Sequence, residues 1–111
     1  MFRFAHSTPK FEAGQLVCHL RYGYRGVIVA VDPRCQADEN WYLANRTQPD
    51  QSQPWYHVLV DGGGGTTYVA ESNLELDWSG GPVDHPLVAE FFDGLSDSRY
   101  LRNDRVWRGW K

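Results

Sequence analysis

Apolar and polar positions divide the chain into short strand-like runs separated by turn residues. Leu16 to His19 is the first run and Arg25 to Val31 the second, with Arg21-Tyr22-Gly23-Tyr24 between them. In the second run Val27, Val29 and Val31 alternate with Ile28 and Ala30, so both faces are apolar, as in a central strand. Asp32-Pro33 ends it, because proline has no N–H for a ladder. The sequence then turns polar to Pro54, with a short helix expected from Ala37 to Asn45, where Trp41 and Ala44 share a face with Asp38. Gln48 to Pro54 reads as a loop, and the chain re-enters the sheet at Trp55-Tyr56-His57-Val58-Leu59-Val60. Asp61 and four glycines supply the positive φ of a hairpin connection, Thr66 to Ala70 returns, and Asn73 to Leu76 closes the set. The expected fold is mainly β: a small SH3-like five-stranded barrel with an inserted helix. After a Gly/Pro linker from Trp78 to Asp84, Pro86 opens an expected C-terminal helix whose stripe is Val88, Phe91, Phe92 and Leu95.

Three parts follow: a flexible N-terminal arm (1–10), the barrel with its C-terminal helix (11–98), and a basic aromatic tail (99–111). A chain of 111 residues, 41% hydrophobic and 14% aromatic, has enough apolar surface for one core without metal or disulfide staples. Cys18 and Cys35 form no CxxC pair, and no apolar run resembles a signal peptide or a membrane span. Two free thiols in a reducing cytoplasm are the simplest reading. The net charge of −3 conceals a split, since the tail carries +4 and residues 1–98 carry −7. Net charge therefore does not draw this body to a polyanion, and nucleic-acid binding would rest on local patches.

Several strings occur in order. Gly14-Gln15-Leu16-Val17, Tyr22-Gly23-Tyr24-Arg25-Gly26-Val27-Ile28-Val29 and Val31-Asp32-Pro33 come first. Trp41-Tyr42, Gln53-Pro54-Trp55-Tyr56-His57-Val58-Leu59-Val60, Thr67-Tyr68-Val69-Ala70-Glu71-Ser72-Asn73-Leu74 and His85-Pro86 follow. Over about residues 11–100 this set resembles the YccV-like family of hemimethylated-DNA-binding-like proteins, which includes the heat-shock protein Q (HspQ) branch. The resemblance implies an SH3-like barrel, binding of hemimethylated DNA and, in that branch, regulation of ATP-dependent proteolysis in the stress response.

DNA binding by such a barrel needs cations for phosphates and planar side chains for bases or sugars. Arg21, Tyr22, Tyr24, Arg25 and Arg34 supply both, the first hairpin putting Arg21 to Arg25 at one rim and Arg34 following the strand that leaves it, although the same residues suit a solvated turn whose tyrosines cap the barrel. Alternation sends Trp55 and His57 to one face of their strand, where Tyr68 could join them; the alternative for His57 is a buried, hydrogen-bonded histidine. The glycine run lacks the Lys-Ser/Thr and helix of a phosphate loop and reads as a turn. His6, Cys18, His19, Cys35, His57 and His85 lack the paired short spacings of a zinc site, and no nucleophile elbow occurs, so neither cofactor nor catalysis is expected. The tail, with Trp107 and Trp110 among its cations, could grip phosphates or an acidic protein, or be a solvated end. The leading expectation is a non-catalytic module for double-stranded, hemimethylated DNA. The rival is an adaptor that binds an ATP-dependent protease or its substrate, which the acidic body favours, and a third reading is self-association through a helix or an edge strand.

Overall fold

The computed structural model describes residues 8–109. Most of the expected arm, with His6, and the tail residues Trp110 and Lys111 lie outside them. Five strands form one antiparallel sheet: β1 (Leu16–His19), β2 (Arg25–Asp32), β3 (Trp55–Val60), β4 (Thr66–Ala70) and β5 (Leu74–Leu76), in the order β4-β3-β2-β1-β5. β2 is central, which is why both of its faces are apolar. Val27 and Val29 join Leu16 and Leu59 in one cluster, whereas Ile28 packs with Val17, Tyr56, Val58 and Val69 in another. The expected five strands are present, but their hydrogen-bonded ladder does not close into a barrel. β4 and β5 are the sheet edges, linked by a 3-10 turn (Glu71–Asn73).

The register of β2 on β3 shifts between Ile28 and Ala30, placing Val29 at a bulge. Its carbonyl accepts a hydrogen bond from Arg102 Nε at 2.8 Å, so a side chain from the far end of the chain satisfies this group. The inserted helix is α1 (Glu39–Ala44), inside the expected span and capped by Asp38, whose carboxylate accepts from Trp41 N at 3.0 Å. The glycine run forms the β3–β4 turn, where Gly62 and Gly64 take φ of +103° and +87°. Cys18 and Cys35 are free thiols.

The C-terminal region departs from the expected helix. α2 (Val88–Phe91) is a single turn, and the chain then extends into β6 (Phe92–Ser96), paired with β7 (Arg99–Arg102). Asp97 and Ser98, at φ of +52° and +63°, make the two-residue mirror-image turn that matches the twist of a hairpin. Gly94, at φ +149°, lies at a register shift within β6 and is a poor helix former. Phe91 and Phe92 are thus buried together from a helix turn and a strand, while Leu95 is exposed. With Val83 and Tyr100 they cover one face of β1, β2 and β3, and Trp107 packs against that cluster. Arg99 and Arg102, expected in a tail, therefore stand on a strand. Arg99 bonds Glu12 at 2.8 Å and Arg105 reaches Glu90 at 3.5 Å, so three of the tail's cations are engaged within the fold.

Candidate functional site

The β1–β2 loop is built around His19. Its backbone N–H donates to Tyr24 O and its carbonyl accepts from Gly23 N, both at 2.8 Å, and Gly23 takes a φ of +77°. His19 Nδ1 accepts from the backbone N–H groups of Arg21 and Tyr22, each at 3.1 Å. The neutral ring must then carry its proton on Nε2. Tyr22 stacks on the imidazole at 4.7 Å and Tyr24 tilts against it at 5.1 Å. Tyr24 is tied to β4 by a 2.8 Å hydrogen bond between its hydroxyl and Thr67 Oγ1. Arg21 lies 5.9 Å from the centre of the Tyr22 ring, and Tyr22 is 50% exposed.

Facing this loop, α1 covers the end of β3 and β4. Trp41 meets Trp55 and Tyr68 edge-on at 6.2 and 5.7 Å, and Trp55 lies 5.2 Å from Tyr68. Trp55 Nε1 donates to Asp50 O. The Tyr68 hydroxyl donates to Asp32 Oδ2 at 2.6 Å and accepts from Gln36 N, while His57 Nε2 is 3.1 Å from the same carboxylate oxygen. Between loop and helix lies a recess of about 340 Å³ with walls of His19, Tyr22, Tyr24, Trp41, Trp55 and Tyr68. Arg46 and Thr47 line it after α1, and no carboxylate among the described residues does. Neither Arg21 nor Arg46 makes a salt bridge among the described residues.

The expected site residues thus separate. Tyr22, Tyr24, Trp55 and Tyr68 share the recess, but Trp55 and Tyr68, 2% and 7% exposed, form its floor rather than an open surface. His57, 7% exposed, sits behind Tyr68 at 4.5 Å and is the hydrogen-bonded histidine of the alternative reading. Arg34 is exposed outside the recess, where its charge faces Asp50. Arg25 does not point to solvent as a rim cation: it bonds Asp61, Asp77 and the carbonyls of Gly81 and Pro82. The sequence reading missed His19, Trp41 and Arg46 as wall residues. Only Trp41 carried a signal, its place beside Ala44 on one face of the expected helix. Among the described residues no group of three or more His, Cys, Asp or Glu gathers to hold a metal, and no helix is long and apolar enough to cross a membrane.

Burial sets the ionisation of the cluster. The Tyr24 and Tyr68 phenols are pushed up by burial, Tyr68 further by its bond to Asp32. His19 is lowered by burial and then by Arg21, and His57 is lowered by burial, which outweighs Asp32. Both imidazoles bind protons less well folded than unfolded, so stability is full above the ordinary value of 6.5 and declines as pH falls below it, until the lowered folded values are passed. The urea midpoint should therefore fall between pH 7 and pH 5. His57→Gln should flatten part of that decline, and an equal slope in the variant would remove His57 from the account.

The sequence model of the family described as hemimethylated DNA-binding protein YccV like matches residues 9–99. That span holds every wall of the recess, the five strands and α1. The chain therefore belongs to the YccV-like family.

Proposed function

We propose that this protein is a non-catalytic DNA-binding module, that its target is a hemimethylated duplex, and that the aromatic recess with Arg21 and Arg46 is the contact surface. The carrying observation is a recess walled by six aromatic and histidine rings that, among the described residues, is lined by none of the chain's fourteen Asp and Glu. A cation-binding aromatic cage would want a nearby acid, whereas a neutral base beside phosphates wants rings and arginines. A methyl group adds shape and apolar surface but no hydrogen-bonding atom, so aromatic walls suit its recognition. On this reading the five-stranded sheet is the frame of an SH3-like fold, and the cytoplasm is the expected compartment.

The test is fluorescence anisotropy with hemimethylated, fully methylated and unmethylated duplexes of one sequence at two salt concentrations. Tightest binding to the hemimethylated form at both salts is the expected result; equal binding of all three, fading with salt, would reduce the activity to charge. Changing Arg21 and Arg46 together to Ala should weaken binding without altering the melting curve, since neither makes a salt bridge among the described residues. It should also lower the slope of log affinity against log salt by about 2, at ~0.9 per phosphate contact. An unchanged slope would take both residues out of the interface.

One observation favours the adaptor reading. Trp78 is 86% exposed beside a second hollow lined by Leu16, Leu76 and Arg99, an arrangement suited to anchoring a protein. A protease or its substrate bound there would leave the aromatic recess open, so Trp78→Ala would weaken protein binding and spare DNA binding.

A further inference from the structure

The shape of the recess bears on how a base could be read. Direct readout in the major groove requires a protruding element, a helix or a two-stranded ribbon, that reaches base edges. Here the rings face inward instead. Trp55 and Tyr68 floor the recess, Trp41 and Tyr24 wall it, and only Tyr22 stands half-exposed at its mouth. A base paired within a duplex cannot present its rings to such a surface; a base turned out of the stack can. A volume of about 340 Å³ lies at the small end of the ~300–1,000 Å³ range of single-ligand sites, so it suits one planar group rather than two.

The polar groups fit the same occupant. With Nδ1 engaged by the backbone of Arg21 and Tyr22, His19 offers Nε2–H, which has no acceptor among the described residues, to a base nitrogen or carbonyl oxygen. The lowered proton affinity of His19 keeps that ring in the neutral, singly protonated form at neutral pH. Arg21 beside Tyr22 and Arg46 on the α1 side flank the recess, where the phosphates on either side of an extruded nucleotide would run.

We propose that this recess holds the methylated base itself, extruded from the duplex and stacked among Tyr22, Tyr24 and Trp41, with His19 donating to its edge. The inference rests on the DNA-binding reading above and specifies its geometry. Extrusion breaks a base pair and two stacking contacts, and restacking on aromatic side chains offsets part of that loss.

The experiment uses the full chain with two duplexes, one hemimethylated at cytosine C5 and one at adenine N6, each carrying 2-aminopurine next to the methylated base. Anisotropy reports binding, and 2-aminopurine emission reports loss of the neighbouring stack. The expected result is a several-fold rise in emission on binding at least one duplex. Mispairing the methylated base should tighten binding of that duplex about tenfold, because the pair no longer has to be broken. Tyr22→Ala should abolish most of the rise and weaken binding about tenfold or more, while Tyr22→Phe keeps both. Binding with flat emission and no gain from the mispair would overturn extrusion and leave the DNA-binding reading standing. No anisotropy change with any duplex would overturn both.

Discussion

Arg25→Ala should destabilise the fold by about 2–3 kcal/mol while leaving the DNA affinity of the folded protein unchanged. The magnitude lies between an exposed ion pair at ~0–1 kcal/mol and a buried one broken on one side at ~3–5 kcal/mol. Arg25 leaves β2 and fastens three separate segments: its guanidinium meets Asp61 in the β3–β4 turn and Asp77 after β5, each at 2.9 Å, and the carbonyls of Gly81 and Pro82 in the linker. Its side chain is 23% exposed, so removal strands two carboxylates that water only partly reaches. Asp61 is held below the usual carboxylate range by the Asp84 N–H and then by Arg25. For Asp77, burial pushes upward but the hydrogen bonds from Ser79 and Arg25 outweigh it. Because both are depressed in the folded state, their contribution is present above the ordinary value of 3.8 and lost as pH falls through the folded values. The gap between wild type and variant should thus close in strong acid. Urea unfolding measures this as a lower midpoint at unchanged slope. Arg25→Lys should recover only part of the loss, since one ammonium cannot serve four acceptors arranged around a fork. A variant that unfolds like the wild type would refute the structural role, and one that stays folded but loses DNA would return Arg25 to the interface.

Gly14→Ala should cost about 3 kcal/mol and lower Tm by more than ~10 °C, at roughly 4 °C or more per kcal/mol for a domain of this size. Gly14 combines two constraints. Its φ of +99° is strained for any residue with a Cβ, a cost of ~1–3 kcal/mol, and that Cβ would overlap the carbonyl oxygen of Tyr100. Overpacking of this kind adds ~1–3 kcal/mol. The position is also a junction: Gly14 N donates to Ile28 O at 2.8 Å, and its carbonyl accepts from Tyr100 N at 2.9 Å. The β6–β7 hairpin is docked there, so the variant should expose Arg99 and Arg102 to trypsin faster than the wild type. Gly63→Ala is the control, because a Cβ at Gly63 meets nothing within 4 Å. Equal melting of wild type and Gly14→Ala would mean that the hairpin shifts aside at no cost.

Much of the strand framework was legible because it rests on short-range chemistry. The doubly apolar run of β2, the Asp-Gly turn after β3 and the short helix α1 each depend on neighbours a few residues away, and each lies where expected; Asp38, expected on the helix face shared with Trp41, instead caps the N-terminus of α1. The C-terminal region was misread for a definable reason. Val88, Phe91, Phe92 and Leu95 suit a helical stripe, and the competing signal was Gly94 with the Asp97-Ser98 turn, whose positive φ values are ones that Asp and Ser adopt less readily than Asn or Gly. What favours the hairpin is long-range: Tyr100 N bonds Gly14 O, and the Tyr100 hydroxyl accepts from Val83 N at 2.9 Å. The same limit applied to the site. Alternation puts Trp55 and His57 on one face of β3, but it does not say that α1 and Trp41 lie over that face and bury Trp55 and Tyr68.

From the sequence alone came the β class, the five strand segments along the chain, the inserted helix, the motifs of the YccV-like family and the aromatic character of the first loop. All of these are set by residue type and local spacing. Only the tertiary structure decided that Arg25 is consumed by Asp61 and Asp77, that Arg102 satisfies the bulged Val29 carbonyl, and that six rings from four segments enclose one recess. Each of those outcomes depends on which distant groups meet and how much water they exclude. A charge or a ring has the same composition whether it faces solvent or another residue, and its energy differs by several kcal/mol between the two.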